Sequence, residues 1–596
     1  MRTHLVSVTA LVVGALAPAQ TPLHQSRSVE DLLPASTYAA VKFAGLDACS
    51  DATARMPIAG LVKQFLARLP REVVEQQLEE GLAEAADDLR EALHEVGLRP
   101  ADARAVVGRP MTLAVGRFSI EGMGPSVALL LDEGNERPAI NRCVRALSRL
   151  PERFGVDVTI ERIEIGGHPF YRAQAAEGPP VFAGSIAGTY CLSNSRGFLR
   201  EIAAVAAGRD RGLVAASDFA ALRQQFPALA LCMVNTRSVM DSLAPHLPYE
   251  AADFADAIGL GRVDSIYAAA AAGEEGGAEM LHIAVRGSEK GLLKALVSKP
   301  VDLGFARACS PNTVLFGAGS CDVPAVIGAF RRFVELLPRE VQREIRRELG
   351  RELRRELAHA GTSPQEVHRI LSAFGNQVGF AIALEKGAMP KPELLVHVGV
   401  RDAETIGALL LRVEAMTARE GGVEWRSRKV EGGEVRFCNL KVDGSFQVSP
   451  CYYLGDDGLW IGSDAAGLVR ALRRVERPAN SLVGQEDFAR LAAAAAGQSG
   501  VLHLRSFRGI ELGWRSIETM LYPLVDANEE ELGFDSDALP DGDELAEALG
   551  STTVTYKVDE SGITVRTRGT YGWGAILAGV GTLCDEVLSR ATAKVF

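Results

Sequence analysis

The chain has 596 residues, of which 47% are hydrophobic and 23% are charged. This is the composition of ordinary soluble globular proteins, and the length suits about two to four domains. The 76 acidic and 64 basic residues give a net charge of -12, so the long-range field repels phosphate backbones. These figures exclude a small disulfide-stapled scaffold, and they predict no nucleic-acid partner.

The N-terminal residues resemble an export signal. Arg2 precedes an apolar run from Leu5 to Leu16, which ends in the small residues Ala17-Pro18-Ala19. The run is too short to span about 30 Å of hydrocarbon. We therefore predict that residues 1–19 form a signal peptide cleaved before Gln20, and that the mature protein is periplasmic or extracellular.

The chain contains an internal repeat. Leu69-Pro70-Arg71-Glu72-Val73 recurs as Leu337-Pro338-Arg339-Glu340-Val341, and other matches follow in the same order at a spacing of about 270 residues. These further matches pair Thr37 with Thr313, Gly97 with Gly361, Pro125 with Pro392, Gly166-Gly167 with Gly432-Gly433, Ser193-Asn194 with Ser463-Asp464, Asp218-Phe219 with Asp487-Phe488, and Leu260-Gly261 with Leu549-Gly550. The series predicts two tandem homologous units, 28–300 and 301–596.

Hydrophobic periodicity predicts an α+β fold in each unit, with a mainly antiparallel sheet, one long amphipathic helix and several shorter helices. Neighbouring strands that follow each other without a helix between them favour hairpins over a parallel sheet. Strands are predicted near 38–43, 111–117, 126–132, 157–173, 188–193, 228–234, 264–270 and 280–287. Helices are predicted near 57–96, 138–150, 196–207 and 217–224.

The predicted long helices of the two units differ in charge. The first is strongly acidic between Glu72 and Glu95, whereas the second carries Arg343, Arg347, Arg351 and Arg355 along one stripe. Such charge runs are usually solvated faces with weak intrahelical ion pairs. Complementary charge also permits a contact between the two helices, within one chain or in a dimer, and we retain this as a hypothesis.

Nine cysteines are too few and too dispersed for a disulfide framework. Most lie in apolar stretches, where a free thiol behaves as a small hydrophobic group. Cys438 and Cys451 differ, because they flank Asp443-Gly444, a preferred hairpin turn that would bring their strands side by side. An oxidising compartment would permit a disulfide between them.

No motif for catalysis, cofactor binding or metal binding stands out. The glycines of 317–319 lack a phosphate-binding context, and the ten histidines show no paired metal-ligand spacing. Ser185 is one residue too early for a nucleophile elbow. The acidic segment 526–547 suggests calcium, but Leu539 and Pro540 interrupt it, and Asp541 is better interpreted as a helix cap. We predict no catalytic, cofactor or metal residues.

The polar residues common to both units also do not indicate an active site that the two units share. Asn194 and Asp464, like Asp218 and Asp487, precede helices and are interpreted as N-caps. A site would therefore have to be built by one unit alone or at the junction of the two.

The apolar stretch from Trp573 to Leu583 is followed by charged residues in one amphipathic pattern. We therefore interpret it as a surface helix and predict no membrane anchor in the mature chain.

The chain resembles an uncharacterised family of exported bacterial proteins, a domain-of-unknown-function family. The resemblance lies in four features: the strand entry Leu33-Pro34-Ala35-Ser36-Thr37, the long helix, the Gly-Gly-His-Pro-Phe-Tyr segment at 166–171 and the passage ending in Asp218-Phe219. The resemblance implies the fold and export but no activity. The leading hypothesis is a noncatalytic extracytoplasmic binding or structural module. The alternative is an envelope hydrolase with a site at the junction of the units.

Overall fold

The computed structural model describes residues 28–74, 79–119, 124–148, 157–175, 178–213, 228–243, 260–286, 299–320, 363–385, 390–442, 446–570 and 572–593, with a few isolated positions between these ranges. "N-terminal half" and "C-terminal half" denote the described residues up to 300 and from 301.

Strands occur throughout both halves. Those of the N-terminal half are β1 (Ala39–Phe43), β2 (Met111–Ser119), β3 (Gly124–Asp132), β4 (Val158–Ile165), β5 (His168–Ala175), β6 (Val181–Ile186), β7 (Thr189–Ser193), β8 (Ala230–Val234), β9 (Val263–Gly273) and β10 (Gly276–Val285). Those of the C-terminal half are β11 (Thr313–Ser320), β12 (Phe374–Glu385), β13 (Lys391–Val400), β14 (Trp425–Val430), β15 (Gly433–Cys438), β16 (Leu440–Val442), β17 (Phe446–Val448), β18 (Cys451–Gly455), β19 (Gly458–Gly462), β20 (Gly500–Leu504), β21 (Thr552–Asp559) and β22 (Gly562–Gly569).

Helices alternate with groups of strands. In the N-terminal half they are α1 (Leu46–Ala54), α2 (Pro57–Arg68), α3 (Arg71–Val73), α4 (Glu80–Glu95), α5 (Pro100–Val107), α6 (Arg137–Ser148), α7 (Arg196–Ala206) and α8 (Thr236–Leu243). In the C-terminal half they are α9 (Pro364–Ala373), α10 (Ala403–Gly421), α11 (Ala465–Val475), α12 (Phe488–Ala495), α13 (Ser506–Asp526), α14 (Glu529–Leu532), α15 (Gly542–Leu549) and α16 (Trp573–Ala593).

Within the described residues, one 20-stranded sheet extends through both halves, and all its pairings there are antiparallel. Its spatial order is β4-β5-β6-β7-β3-β2-β1-β8-β9-β10-β22-β21-β20-β11-β12-β13-β19-β18-β15-β14. The halves join where β10 pairs with β22 over Gly277–Ala284 and Gly562–Gly569. The mixed α+β class with an antiparallel sheet is therefore confirmed.

The sheet has core on both faces: Leu130 of β3 packs with α7 on one face, and Leu131 packs with Ile140 and Val144 of α6 on the other. In the N-terminal half, α7 packs on β3, β4, β6 and β7 and buries Leu199 and Ile202 beside Phe170 of the sheet. In the C-terminal half, α11 packs on β15, β18 and β19 and buries Leu468 beside Trp460. Each such side chain contributes about 1.5–3 kcal/mol when removed from water.

The single long helix predicted over 57–96 is wrong. Leu69 has an extended backbone (φ -64°, ψ 144°), because a residue that precedes proline is disfavoured in the α region and Pro70 follows it. Helix α2 therefore ends at Arg68 and a new helix begins at Arg71, and the helices α1 and α5, which the periodicity did not predict, flank this region.

The predicted contact between the charged helices stays a hypothesis, because Arg343 is the one arginine of that stripe among the described residues. The acidic helix α4 instead packs on α16, where Arg90 Nε donates to the carbonyl oxygen of Ala591 at 3.0 Å.

Two of the predicted helix caps are confirmed. Asp464 Oδ2 accepts from the Gly467 amide at 2.7 Å, and Asp541 forms a capping box with Glu544 at the start of α15. The interpretation of Asn194 as a cap is wrong. Its side chain joins loop to sheet, accepting from Val127 N and donating to Pro125 O, and Ser195 caps α7.

The prediction that the C-terminal helix α16 is amphipathic is wrong, because its buried face is built largely from small residues while Trp573, Ile576, Val580 and Leu583 are exposed. Gly581 lies so close to α1 that an added Cβ would stand 2.5 Å from the Cβ of Cys49, while Trp573 is 70% exposed. Among the described residues, no helix combines the length and the apolar character needed to cross a bilayer.

Candidate functional site

A cleft with a volume of about 930 Å³ opens where the two halves meet, and we call it the junction cleft. The N-terminal half contributes Pro57, at the start of α2, and the β9–β10 turn with Glu274 and Glu275. The C-terminal half contributes residues of α12, α13, α15 and the ends of β20, β21 and β22. The lining residues from the C-terminal half are Asp487, Arg490, Leu491, Ala493, Ala494, His503, Phe507, Glu511, Asp543, Ala546, Glu547, Ala548, Gly550, Ser551, Thr553, Arg568, Gly569 and Thr570. This size is within the range of small-molecule sites.

A close backbone approach holds the acidic turn against the other half. Gly276 has φ +92°, and a Cβ at this position would lie 2.5 Å from the carbonyl oxygen of Gly569. Glycine is therefore required here for both conformational and steric reasons. The turn places the exposed side chains of Glu274 and Glu275 at the rim of the cleft.

A row of polar side chains crosses the floor of the junction cleft. His503 on β20 is paired with Thr553 on β21, which is paired with Arg568 on β22. Directly paired residues of an antiparallel sheet share a face, so the three side chains lie in line. His503 Nδ1 and Thr553 Oγ1 share a hydrogen bond of 2.8 Å.

The other nitrogen of this imidazole has no hydrogen bond. His503 is only 3% exposed, and its Nε2 lies 3.6 Å from Asp487 Oδ2, which is longer than a hydrogen bond. Buried polar atoms normally find a partner. An unsatisfied nitrogen on the wall of a cleft is therefore a feature that a bound ligand would complete.

Asp487 is held by a buried arginine. Arg505 Nε and Nη2 donate to the two carboxylate oxygens at 2.6 and 3.1 Å, and Nη1 donates to the carbonyl oxygens of Pro311 and Thr313 at 2.8 and 2.9 Å. Burial alone would raise the pKa of Asp487, but the His503 ring 3.6 Å away and the hydrogen bonds and positive charge of Arg505 lower it to about 2. Asp487 is therefore a permanent anion with a structural partner.

The sequence interpretation of Asp487 as a helix cap is consequently wrong. It occupies the N-cap position of α12, yet its side chain makes no capping hydrogen bond. The Asp487 carboxylate instead accepts from Arg505, which directly follows β20 and is only 2% exposed.

The charge on the cleft wall is mostly negative. Asp487 is paired with Arg505, and Glu511 with Arg508 at 2.5 Å. Four further carboxylates make no ion pair within the described part of the chain; they are Glu274, Glu275, Asp543 and Glu547. Arg490 and Arg568 also line the cleft without an ion pair to any described residue.

The N-terminal half has different side chains at the corresponding sheet positions. Met233 and Tyr267 pair across β8 and β9 where His503 and Thr553 pair across β20 and β21. Asn235 follows β8 and donates to Ala35 O, as Arg505 follows β20 and donates to Pro311 O. The polar floor of the junction cleft therefore belongs to the C-terminal half alone.

The predicted disulfide pair lies away from this cleft. Cys451 is opposite Phe437 in the sheet, and the amide of Cys438 donates to Pro450 O at 3.1 Å, so the two cysteines are close neighbours. Both are buried free thiols in this structure, and their disulfide stays a prediction. No cluster of three or more metal-binding side chains occurs among the described residues.

Sequence reasoning missed the junction cleft because its residues are dispersed over the chain from Pro57 to Thr570. One local signal was present. The Glu274-Glu275-Gly276-Gly277 stretch predicts an exposed acidic turn, but which half it would face depends on the pairing of β10 with β22.

Comparisons with protein-family models, with curated proteins and with solved structures find no match for this chain. These comparisons therefore indicate no function for this chain.

Proposed function

We propose that this is an exported, noncatalytic binding protein made of two copies of one α+β unit, and that it holds a polar ligand in the junction cleft. The observation that carries the proposal is the cleft itself, which both halves line and in which the buried Nε2 atom of His503 has no hydrogen bond.

The order of the strands supports a duplication. Read outward from the β10–β22 joint, the N-terminal half runs β10-β9-β8-β1-β2-β3-β7-β6-β5-β4, and the C-terminal half runs β22-β21-β20-β11-β12-β13-β19-β18-β15-β14. Each strand has its counterpart at the same step. The joint then pairs one edge strand with its own copy, as in an isologous dimer interface.

A binding role is favoured over a structural one because the cleft is polar and unfilled. A structural interface would neutralise its charges and fill its volume. The junction cleft instead keeps about 930 Å³ open, with carboxylates on both walls.

Filling the cleft tests the proposal. Ala494 is exposed and lines the cleft, so Ala494→Trp should block it, whereas Ala489→Trp changes an exposed alanine on the neighbouring turn that does not line it. Thermal shifts would be measured with amino acids, oligosaccharides, polyamines and short peptides. We expect a stabilising ligand for the native chain and Ala489→Trp but not for Ala494→Trp. A ligand that stabilises all three proteins equally would reject the cleft as the site.

One observation favours a second candidate, a hydrolase. Thr553, His503 and Asp487 form a hydroxyl–imidazole–carboxylate series on the cleft floor. In such a reaction Thr553 Oγ1 would attack an ester carbonyl carbon while His503 Nδ1 takes its proton. The imidazole would return that proton to the leaving alkoxide, and water would then release the acid. Against this role, Arg505 already occupies both oxygens of Asp487.

The two candidates are separated by hydrolysis assays with 4-nitrophenyl esters. Thr553→Val removes the cleft hydroxyl, and Thr564→Val removes the other threonine that bonds to a strand histidine, His282, at 2.9 Å. Turnover that is lost in Thr553→Val and retained in Thr564→Val would establish the hydrolase. Equal background rates in all three proteins would exclude it for these esters.

A further inference from the structure

We propose that two copies of this chain associate through helix α16, which packs antiparallel to its own copy along an exposed apolar stripe. The stripe consists of Trp573, Ile576, Val580 and Leu583, whose exposed fractions are 70%, 54%, 55% and 53%. None of these four residues lines the junction cleft, so the proposal does not depend on the proposed binding function.

Helix α16 is apolar on two opposite sides. Its inner side packs on α1, α4, α5 and the β9–β10 hairpin through small buried residues, among them Ala578, Gly581 and Ala591. A surface helix presents polar and charged side chains to water, whereas a helix that is apolar all round is normally buried. The described part of the chain leaves the outer stripe open to solvent. The stripe therefore has the character of a surface that another molecule covers.

The spacing of the stripe indicates that this other molecule presents a helix. Its four residues are three, four and three positions apart, and Val587 and Arg590 continue the same alternation. This is the spacing of the a and d positions in a coiled-coil seam. The adjoining positions Gly579 and Cys584 are small and exposed, so a second helix can approach closely.

The seam is complementary to itself when the two copies run antiparallel. Positions a and d then face each other, which pairs Ile576 with Val587 of the second copy and Val580 with its Leu583. The outermost layer pairs Trp573 with Arg590, and an arginine over an indole ring is a favourable cation–π contact. A parallel pair would instead place Arg590 against Arg590. The antiparallel arrangement therefore gives every seam residue a suitable partner.

Charge favours a second copy over a membrane surface as the partner. Helices that lie on membranes are usually rich in lysine and arginine on their polar side. Helix α16 has Asp585 and Glu586 against the single basic residue Arg590, and the whole chain has a net charge of -12. An anionic bilayer would therefore repel this surface.

The size of the stripe sets the expected strength of association. Together with the half-buried Val587, it presents about 500 Å² of apolar surface per copy, so a dimer would bury about 1,000 Å², near the lower end of specific interfaces. We therefore expect a reversible dimer with a dissociation constant on the order of micromolar.

Analytical ultracentrifugation of the full chain over a concentration series tests the proposal. We expect a monomer–dimer equilibrium for the native chain. Val580→Glu places a carboxylate in a central layer and should weaken association at least about a hundredfold. Met520→Glu is the matched control, because Met520 is 78% exposed on α13, and it should leave the equilibrium unchanged. Both changed side chains are exposed in the single chain, so thermal unfolding of the dilute proteins should be the same.

A charge exchange tests the orientation. Ile576→Lys and Val587→Glu should each weaken the dimer, and the double variant should restore it, because each lysine then faces a glutamate of the second copy. A parallel pair would place like charges together, so a double variant that stays monomeric while the native chain dimerises would overturn the antiparallel arrangement.

Two results would overturn the dimer itself. One is a native chain that stays monomeric at millimolar concentration, and the other is a dimer that survives Val580→Glu. Vesicles of neutral and of anionic phospholipid test the other occupant. Co-sedimentation of a monomeric native chain with them, lost in Val580→Glu, would assign the stripe to a lipid surface instead of a second copy.

Discussion

Arg505 and Asp487 form a bidentate ion pair with almost no access to solvent, and it ties the end of β20 to the start of α12 beside the junction cleft. The guanidinium also satisfies the backbone carbonyls of Pro311, just before β11, and of Thr313, the first residue of β11. One side chain thereby fixes three segments that the chain separates widely.

Removing this arginine should be costly. Arg505→Met leaves the Asp487 carboxylate buried without a counter-ion, and the loss of one partner of a buried pair costs about 3–5 kcal/mol of unfolding free energy. Arg590→Met, which breaks the exposed pair with Glu586, should cost less than about 1 kcal/mol. Urea unfolding measures both. Similar small losses in the two variants would show that the buried pair does not stabilise the fold.

The same pair predicts a pH dependence. The pKa of Asp487 is depressed to about 2 in the folded protein, below its ordinary value of about 3.9. Its contribution to stability is therefore fully present above about pH 4 and is lost as the pH falls towards 2. The free energy difference between the native chain and Asp487→Asn should shrink over this interval. A difference that stays constant from pH 5 to pH 2.5 would contradict the assignment.

The turn glycines give a matched pair of substitutions. Gly276→Ala places a Cβ against the Gly569 carbonyl at a positive φ and should cost about 1–3 kcal/mol. Gly273→Ala, three residues earlier, meets no atom within 4 Å and should be close to neutral. Thermal unfolding compares them. Because Gly276 positions the acidic β9–β10 turn at the rim of the junction cleft, Gly276→Ala should also weaken ligand binding there.

The cysteines near β15 and β18 can be tested by mass. If Cys438 and Cys451 are oxidised after export, the purified protein should weigh 2 Da less before reduction than after it, and reduction should lower stability by about 3 kcal/mol. In the reduced protein, burial raises the pKa of Cys451 to about 12, so alkylation of this thiol should be much slower than that of the exposed Cys584. Free thiols in protein from its native compartment would remove the disulfide.

Most strands of the N-terminal half were predictable because their signal is local, although β4 and β5 were predicted as one strand and β6 was not predicted. The alternation around β2 and β3 predicted a hairpin, and Ala114 and Ala128 indeed pair there. The prediction of one helix over 57–96 failed because the apolar periodicity continues through Pro70, whereas the helical backbone conformation is interrupted at Leu69.

The site was harder to predict because it depends on pairings between distant strands. The sequence around His503 does not predict Thr553 as its partner, because 50 residues separate them and only the β20–β21 register brings them together. Asp487 also had a sound local interpretation as a cap, and a tertiary partner, Arg505, overrode it.

The β10–β22 ladder also determines how a ligand would be captured. Many two-part binding proteins close around their ligands by bending at a hinge, and part of the binding energy is used to shift that equilibrium. Here a continuous hydrogen-bonded ladder over Gly277–Ala284 and Gly562–Gly569 connects the two walls, so opening by a hinge would break the sheet. Under the proposed binding function, recognition would be preorganised, and we expect the rate of capture to be governed by encounter and electrostatic attraction rather than by domain closure.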